Sequence, residues 1–296
     1  MTGLTATTDR LTARHLAAAA VMGLLAVWAT LPAWQDIFLI ARTDEENSQI
    51  FLVPIVAMYL VYVRRMRLRH CRVSFRMIGP LMAAAGWGIG CFGFYHGVQS
   101  LWHGGAVLVV LGCMLSVLGK NVLFRFLPAV AVLVFLVPVP VRIRLAIAIP
   151  LQQWTAVVSQ KALEVIGVLN TQVVGNGLKV NNHPVNIAEA CNGVRMVFAL
   201  VMVSYTFGFA MPLRNGVRAL IVLASPLAAI LCNVLRVVPT VLMIGYASET
   251  TAEQFHAITG WLMLPLAFMI LYGIIQLLRW ALIPVTRYTL ATQTIT

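Results

Sequence analysis

Charge is scarce in this chain and acid scarcest: nine Asp and Glu among 296 residues, with charged residues at 10%. A soluble domain of this length carries roughly a quarter charged residues, so that class is excluded. Long apolar runs do not alternate polar and apolar positions, which excludes an outer-membrane barrel. There is no Cys-x-x-Cys and no His-Glu-x-x-His, so no metal site is legible, and nothing implies a cofactor. Five cysteines (71, 91, 113, 191, 232) make no disulfide framework, since three sit inside apolar runs and Cys71 lies in a basic loop. The first apolar run, 16–34, ends without an obvious small-x-small cleavage site, so it is read as a retained helix. No internal repeat or separate soluble domain is evident, and 1–296 reads as a single integral membrane domain.

What the chain has is oil: 60% hydrophobic residues and a mean hydropathy of +0.89. The apolar runs are about 17–25 residues long, the length a helix needs to cross a bilayer. The expected fold is therefore an all-α polytopic membrane protein. Eight spans are expected, at 16–34, 49–63, 77–97, 101–118, 124–140, 195–211, 219–245 and 258–278. Both termini then fall on one side. That side, with loops 64–76, 119–125 and 212–218, holds fourteen of the 21 basic residues and only Asp9 among the acids. Lys and Arg concentrate on the cytoplasmic side, so both termini are expected there, in the bacterial inner membrane. The +12 net charge is thus a topology signal. The run Arg64–Arg76 directly follows a span and suits anionic lipid better than nucleic acid.

The longest segment on the other side is 141–190, expected to be extracytoplasmic. Its first part, 145–169, is patterned as a surface helix. In 172–187, Asn176-Gly177 between β-branched residues predicts a small hairpin.

Three residues of catalytic type share the non-cytoplasmic side. Cys191 precedes the sixth span, Arg236 lies in the outer half of the seventh, and His256 lies where the eighth begins. Cys191 is flanked by polar residues, and a helix N-terminus favours the thiolate. Arg195, one turn on, would favour it further. Arginine within a span costs a few kcal/mol, which makes Arg236 a functional-site hypothesis, with snorkelling to the interface as the alternative. Asn233, one turn earlier, argues for a polar interior instead. His256 gains weight only from its coincidence with the other two; His96, His103 and His183 share its side. Glu189 reads equally as a solvated loop acid or as a partner orienting Arg195 or His256. Cysteine with histidine suggests nucleophilic acyl transfer, in which arginine, permanently protonated, holds the oxyanion.

These residues, in this order, resemble the exosortase/archaeosortase family of membrane transpeptidases. The carriers are Ala190-Cys191-Asn192-Gly193-Val194-Arg195, Asn233-Val234-Leu235-Arg236 and His256. Phe51-Leu52-Val53-Pro54, Val137-Pro138-Val139-Pro140 and Pro150-Leu151-Gln152 look like family landmarks upstream, so the likeness spans roughly 36–275. Asn192 stands where the family usually has serine, and the Ser-His often found before the Phe51 landmark is missing. The resemblance implies a thiol protease with Cys191 as nucleophile, Arg236 stabilising the oxyanion and His256 as general acid and base. Its implied substrates are exported proteins ending in a short motif, a membrane helix and a basic tail. Two other readings compete: a transporter in which Arg236 binds an anion, and a non-catalytic component of an export or polysaccharide locus. The first would place more polar residues deep in the spans, and the second has no need of all three groups.

Overall fold

A computed structural model describes residues 11–71, 77–168, 171–175, 177–180, 183–185 and 193–246, with scattered helical positions between 262 and 280. The chain divides into two compact units, Met1–Pro140 and Val141–Thr296.

The first unit contains α1 (Ala13–Ala29), α2 (Leu31–Thr43), α3 (Leu52–Val63), α4 (Ile78–Tyr95), α5 (Gln99–Leu118), α6 (Lys120–Arg125) and α7 (Leu127–Ala131). The run expected as one span at 16–34 is instead bent by 81° between α1 and α2. Pro32 explains the break. It sits in the first turn of α2, where its missing N–H costs nothing, whereas continuing α1 through it would forfeit a helical bond. Thr30 seals the corner: its hydroxyl donates to the Ala26 carbonyl (2.8 Å) and accepts from Trp34 Nε1 (3.0 Å). The run expected at 124–140 is likewise divided, into α6, α7 and a 3-10 turn at Val132–Leu136. Pro128 starts one piece, and Pro138 and Pro140 follow the last.

α4 and α5 form a tight antiparallel hairpin, turned at Gly97, whose φ of +67° few other residues adopt. Gly79, Gly86 and Gly93 recur every seven residues on the buried face of α4. They meet the α5 backbone closely. A Cβ at Gly86 would lie 2.8 Å from Leu108 Cβ, and one at Gly93 2.8 Å from Leu101 Cβ. From the other side, a Cβ at Gly112 would lie 2.8 Å from Ala83 Cβ. Lipid gives apolar helices no hydrophobic reason to associate, so close backbone approach through small residues supplies the attraction. Large apolar side chains such as Trp28, Leu81, Trp87 and Tyr95 point outward instead, as a lipid-facing surface requires.

The second unit opens with α8 (Val141–Ile166), helical as expected for 145–169 but starting four residues earlier and ending three sooner. A three-stranded antiparallel sheet follows: β1 (Thr171–Val174), β2 (Gly177–Val180) and β3 (His183–Val185). The hairpin sits one residue earlier than Asn176-Gly177 suggested. Val174 pairs with Gly177, so the last pair of the ladder already includes that glycine. Gly175 takes the positive φ (+60°) that a tight hairpin turn demands at its first position.

Two long helices complete the described part: α9 (Gly193–Ala210) and α10 (Asn215–Tyr246). Arg218 clamps the corner between them, donating from Nε to the Gly208 carbonyl (2.8 Å) and from an Nη to the Met211 carbonyl (3.2 Å). The Gly208 carbonyl lies in the last turn of α9 with Pro212 four residues on, which has no amide to give it, while the Met211 carbonyl also accepts from the Leu213 amide (2.8 Å). α10 also tolerates Pro226 inside it. The proline removes the amide that would serve the Val222 carbonyl, and Ser225 Oγ donates there in its place at 2.6 Å.

Four helices are long and apolar enough to cross a membrane: Glu46–Val63, Ile78–Tyr95, Gln99–Leu118 and Asn215–Thr240. Counting two bent helix pairs as one span each raises the total to six. The described helices thus supply four to six of the eight spans expected, in an all-α chain with one small sheet.

Candidate active site

α10 has two chemically distinct faces. Leu220, Leu223, Leu227, Leu231 and Leu235 form an exposed stripe at three- and four-residue spacing, suited to lipid. Around the rest of its circumference the turns beyond Leu231 bury Asn233, Val234, Arg236, Val237, Val238 and Thr240. Arg236 is 8% exposed and belongs to the inward face. Asn233, one turn earlier, is 2% exposed, and its Nδ2 donates to Thr155 Oγ1 of α8 at 3.2 Å. Thr240 Oγ1 donates back to the Arg236 carbonyl at 2.8 Å, holding the turn that carries the arginine.

Packing explains why these groups sit where they do. Ala156 and Leu163 of α8 pack with Val234, Val237 and Val238 of α10, and with Leu178 of β2. A second apolar cluster joins Leu151 of α8, Val197 and Leu200 of α9, and Ile221, Ala228, Ala229 and Cys232 of α10. Leu266, Ile270 and Ile274, spaced by four, pack against that same cluster. The elements adjoining all three catalytic candidates therefore share one core. Cys191 lies two residues before α9, Arg236 lies on α10, and His256 lies ten residues before Leu266. Cys191, Glu189, His256 and the side chain of Arg195 are themselves outside the described residues.

A family profile described as transmembrane exosortase matches residues 34–273. The chain belongs to that exosortase family. No curated protein and no solved structure matches it.

The chain has a second polar feature, only half legible in its sequence. His103, on α5, is fully buried, and its Nε2 lies 2.9 Å from Asp36 Oδ2 on α2. His103 was one of three further histidines expected on the non-cytoplasmic side; Asp36 carried no signal by itself. An acid just past the first expected span and a histidine at the start of the fourth, both expected at the same membrane face, were the available cue. Beside them a cavity of 290 Å³ is walled by Thr30, Ala33, Trp87, Phe94 and Trp102. Thr155 was missed altogether. Its cue was Thr155 and Ser159, four apart within the apolar stripe of α8. Among the described residues, no three His, Cys, Asp or Glu side chains group so as to hold a metal ion.

Proposed function

We propose that this exosortase-family protein is a membrane cysteine peptidase or transpeptidase acting on the C-terminal sorting tails of exported proteins. Its site would lie on the periplasmic face of the bacterial inner membrane, with both termini cytoplasmic. In this reading the Cys191 thiolate attacks the scissile carbonyl carbon, and the new C–S bond leaves negative charge on the carbonyl oxygen. Arg236 stabilises that oxyanion. His256 protonates the departing amine, and the thioester passes to water or to an acceptor amine that His256 deprotonates. The observation that carries the reading is Arg236. It is a guanidinium buried within a helix long and apolar enough to span a membrane, in a family-matched segment, and a charge in a span costs up to about 2.5–3.5 kcal/mol at its centre. Arg195 and the start of α9 support a reactive thiolate, and Glu189 would orient Arg195 or His256.

The test is co-expression with a tailed substrate, with tail removal followed by blot. Cys191→Ala should abolish processing. Arg236→Lys should lower it about 100-fold, because a point charge replaces a donor fork worth about 3 kcal/mol in such a role. Processing that persists in Cys191→Ala would sink the nucleophile assignment.

A further inference from the structure

Asn233 is held by one contact that the catalytic scheme does not use. Its Nδ2 donates to Thr155 Oγ1 across the α8–α10 interface, both side chains being almost wholly buried (2% and 0% exposed). The other half of the amide, Oδ1, is buried and meets no donor among the described residues, and the same is true of Ser159 Oγ, one turn along α8 from Thr155. A buried acceptor without a donor costs about 1–3 kcal/mol. Both atoms belong to residues on the facing stripes of α8 and α10, on the side of α10 that carries Arg236.

We infer that Thr155 is a positioning residue for the Asn233–Arg236 turn, and that Asn233 Oδ1 accepts a backbone N–H of the bound peptide. The inference rests on the peptidase reading above. The chemistry is directional. With Nδ2 committed to Thr155, the amide plane cannot rotate freely, so Oδ1 is presented in one direction. Arg236, three residues on, lies on the same face of the helix. A peptide offers a carbonyl and an N–H within one backbone unit. Guanidinium donors and an amide acceptor one turn apart suit that pair, whichever side chains the peptide carries. Threonine suits the supporting role because its hydroxyl can bond while its methyl packs; valine keeps the shape and loses only the acceptor.

The test uses the full-length enzyme in proteoliposomes with a tailed substrate, and kcat/KM is taken per folded enzyme. Thr155→Ser should stay within about twofold of wild type, and Thr155→Val should fall at least tenfold. Thr155→Ala, which removes atoms and cannot clash, should fall equally if valine hinders folding. Added to Asn233→Ala, Thr155→Val should cost nothing more, because Thr155 acts only through Asn233. Thr155→Val and Thr155→Ala matching wild type would overturn the inference. So would a Thr155→Ser loss as large as the valine loss, or losses that multiply in the double variant, since those mark packing alone. Wild type that leaves the tail intact overturns the peptidase reading and this one together. Wild type that differs from Cys191→Ala while Thr155→Val matches wild type overturns this one alone.

Discussion

Three glycines on one helix allow the α4–α5 seam to be tested against itself. A Cβ on Gly86 would lie 2.8 Å from Leu108 Cβ and Val109 N, and 2.9 Å from the Gly105 carbonyl oxygen. Carbon contacts are comfortable at about 3.5–4.0 Å, so Gly86→Ala must part the helices by roughly 1 Å. A gap of that size forfeits about a third of each interhelical contact, itself worth about 0.15 kcal/mol. If the seam makes on the order of 40 such contacts, as one buried leucine does, the loss is about 2 kcal/mol. That agrees with the usual cost of overpacking, about 1–3 kcal/mol. Gly88 and Gly90 are the internal controls. A Cβ on Gly88 meets nothing within 4 Å, and one on Gly90 comes no nearer than 3.6 Å to Gly105 Cα. Gly88→Ala should therefore be neutral or stabilise by up to about 1 kcal/mol, through helix propensity alone. The assay is unfolding in mixed micelles by titrated SDS, read by circular dichroism. Gly86→Ala should shift the folded-to-unfolded ratio about 30-fold against Gly88→Ala, with Gly90→Ala close to Gly88→Ala. Equal stabilities for the 86 and 88 variants would refute the close-approach account.

Two further predictions concern polar groups. A membrane-impermeant maleimide added to spheroplasts should label the wild type and fail to label Cys191→Ala. Cys232 is fully buried, burial pushes the Cys71 thiol upward against the smaller pull of Arg125, and Cys91 and Cys113 lie within the apolar helices α4 and α5, so all four should stay unreactive to a polar reagent near pH 7. Labelling retained in Cys191→Ala would contradict the sidedness proposed above. Asp36→Leu should destabilise the protein by about 1–2 kcal/mol in the same SDS assay, because it strips His103 Nε2 of its acceptor inside the fold. Asp36→Leu combined with His103→Leu should recover most of that loss. A double variant no better than the single would show that the pair is not coupled.

The helical membrane class was legible because hydropathy over 17–25 residues depends on the solvent rather than on tertiary contacts. Where proline or a special turn intervened, run length misled. Pro32 converts one apparent span into a sharp corner, and Gly175 rather than Gly177 takes the positive φ of the hairpin. The inward face of Arg236 was signalled by Asn233, one turn earlier, because an amide inside an apolar run is costly to expose to lipid. Thr155 was illegible for a different reason. Its partner is 78 residues away, and no local pattern reports a hydrogen bond of that range. The glycine seam was present in the sequence as a seven-residue repeat, but a repeat of glycine carries meaning only when another helix is known to lie against it.

The Asp36–His103 pair also sets a condition on biogenesis. The two residues are 67 positions apart. At about 5–20 residues per second, a ribosome needs roughly 3–13 s to deliver the histidine after the aspartate. Throughout that interval α2 has emerged with a carboxyl and no imidazole to receive it. The corner at Thr30 is made by residues already at hand, Ala26 and Trp34, so it can form at once, whereas the contact that ties α2 to α5 must wait for the later helix.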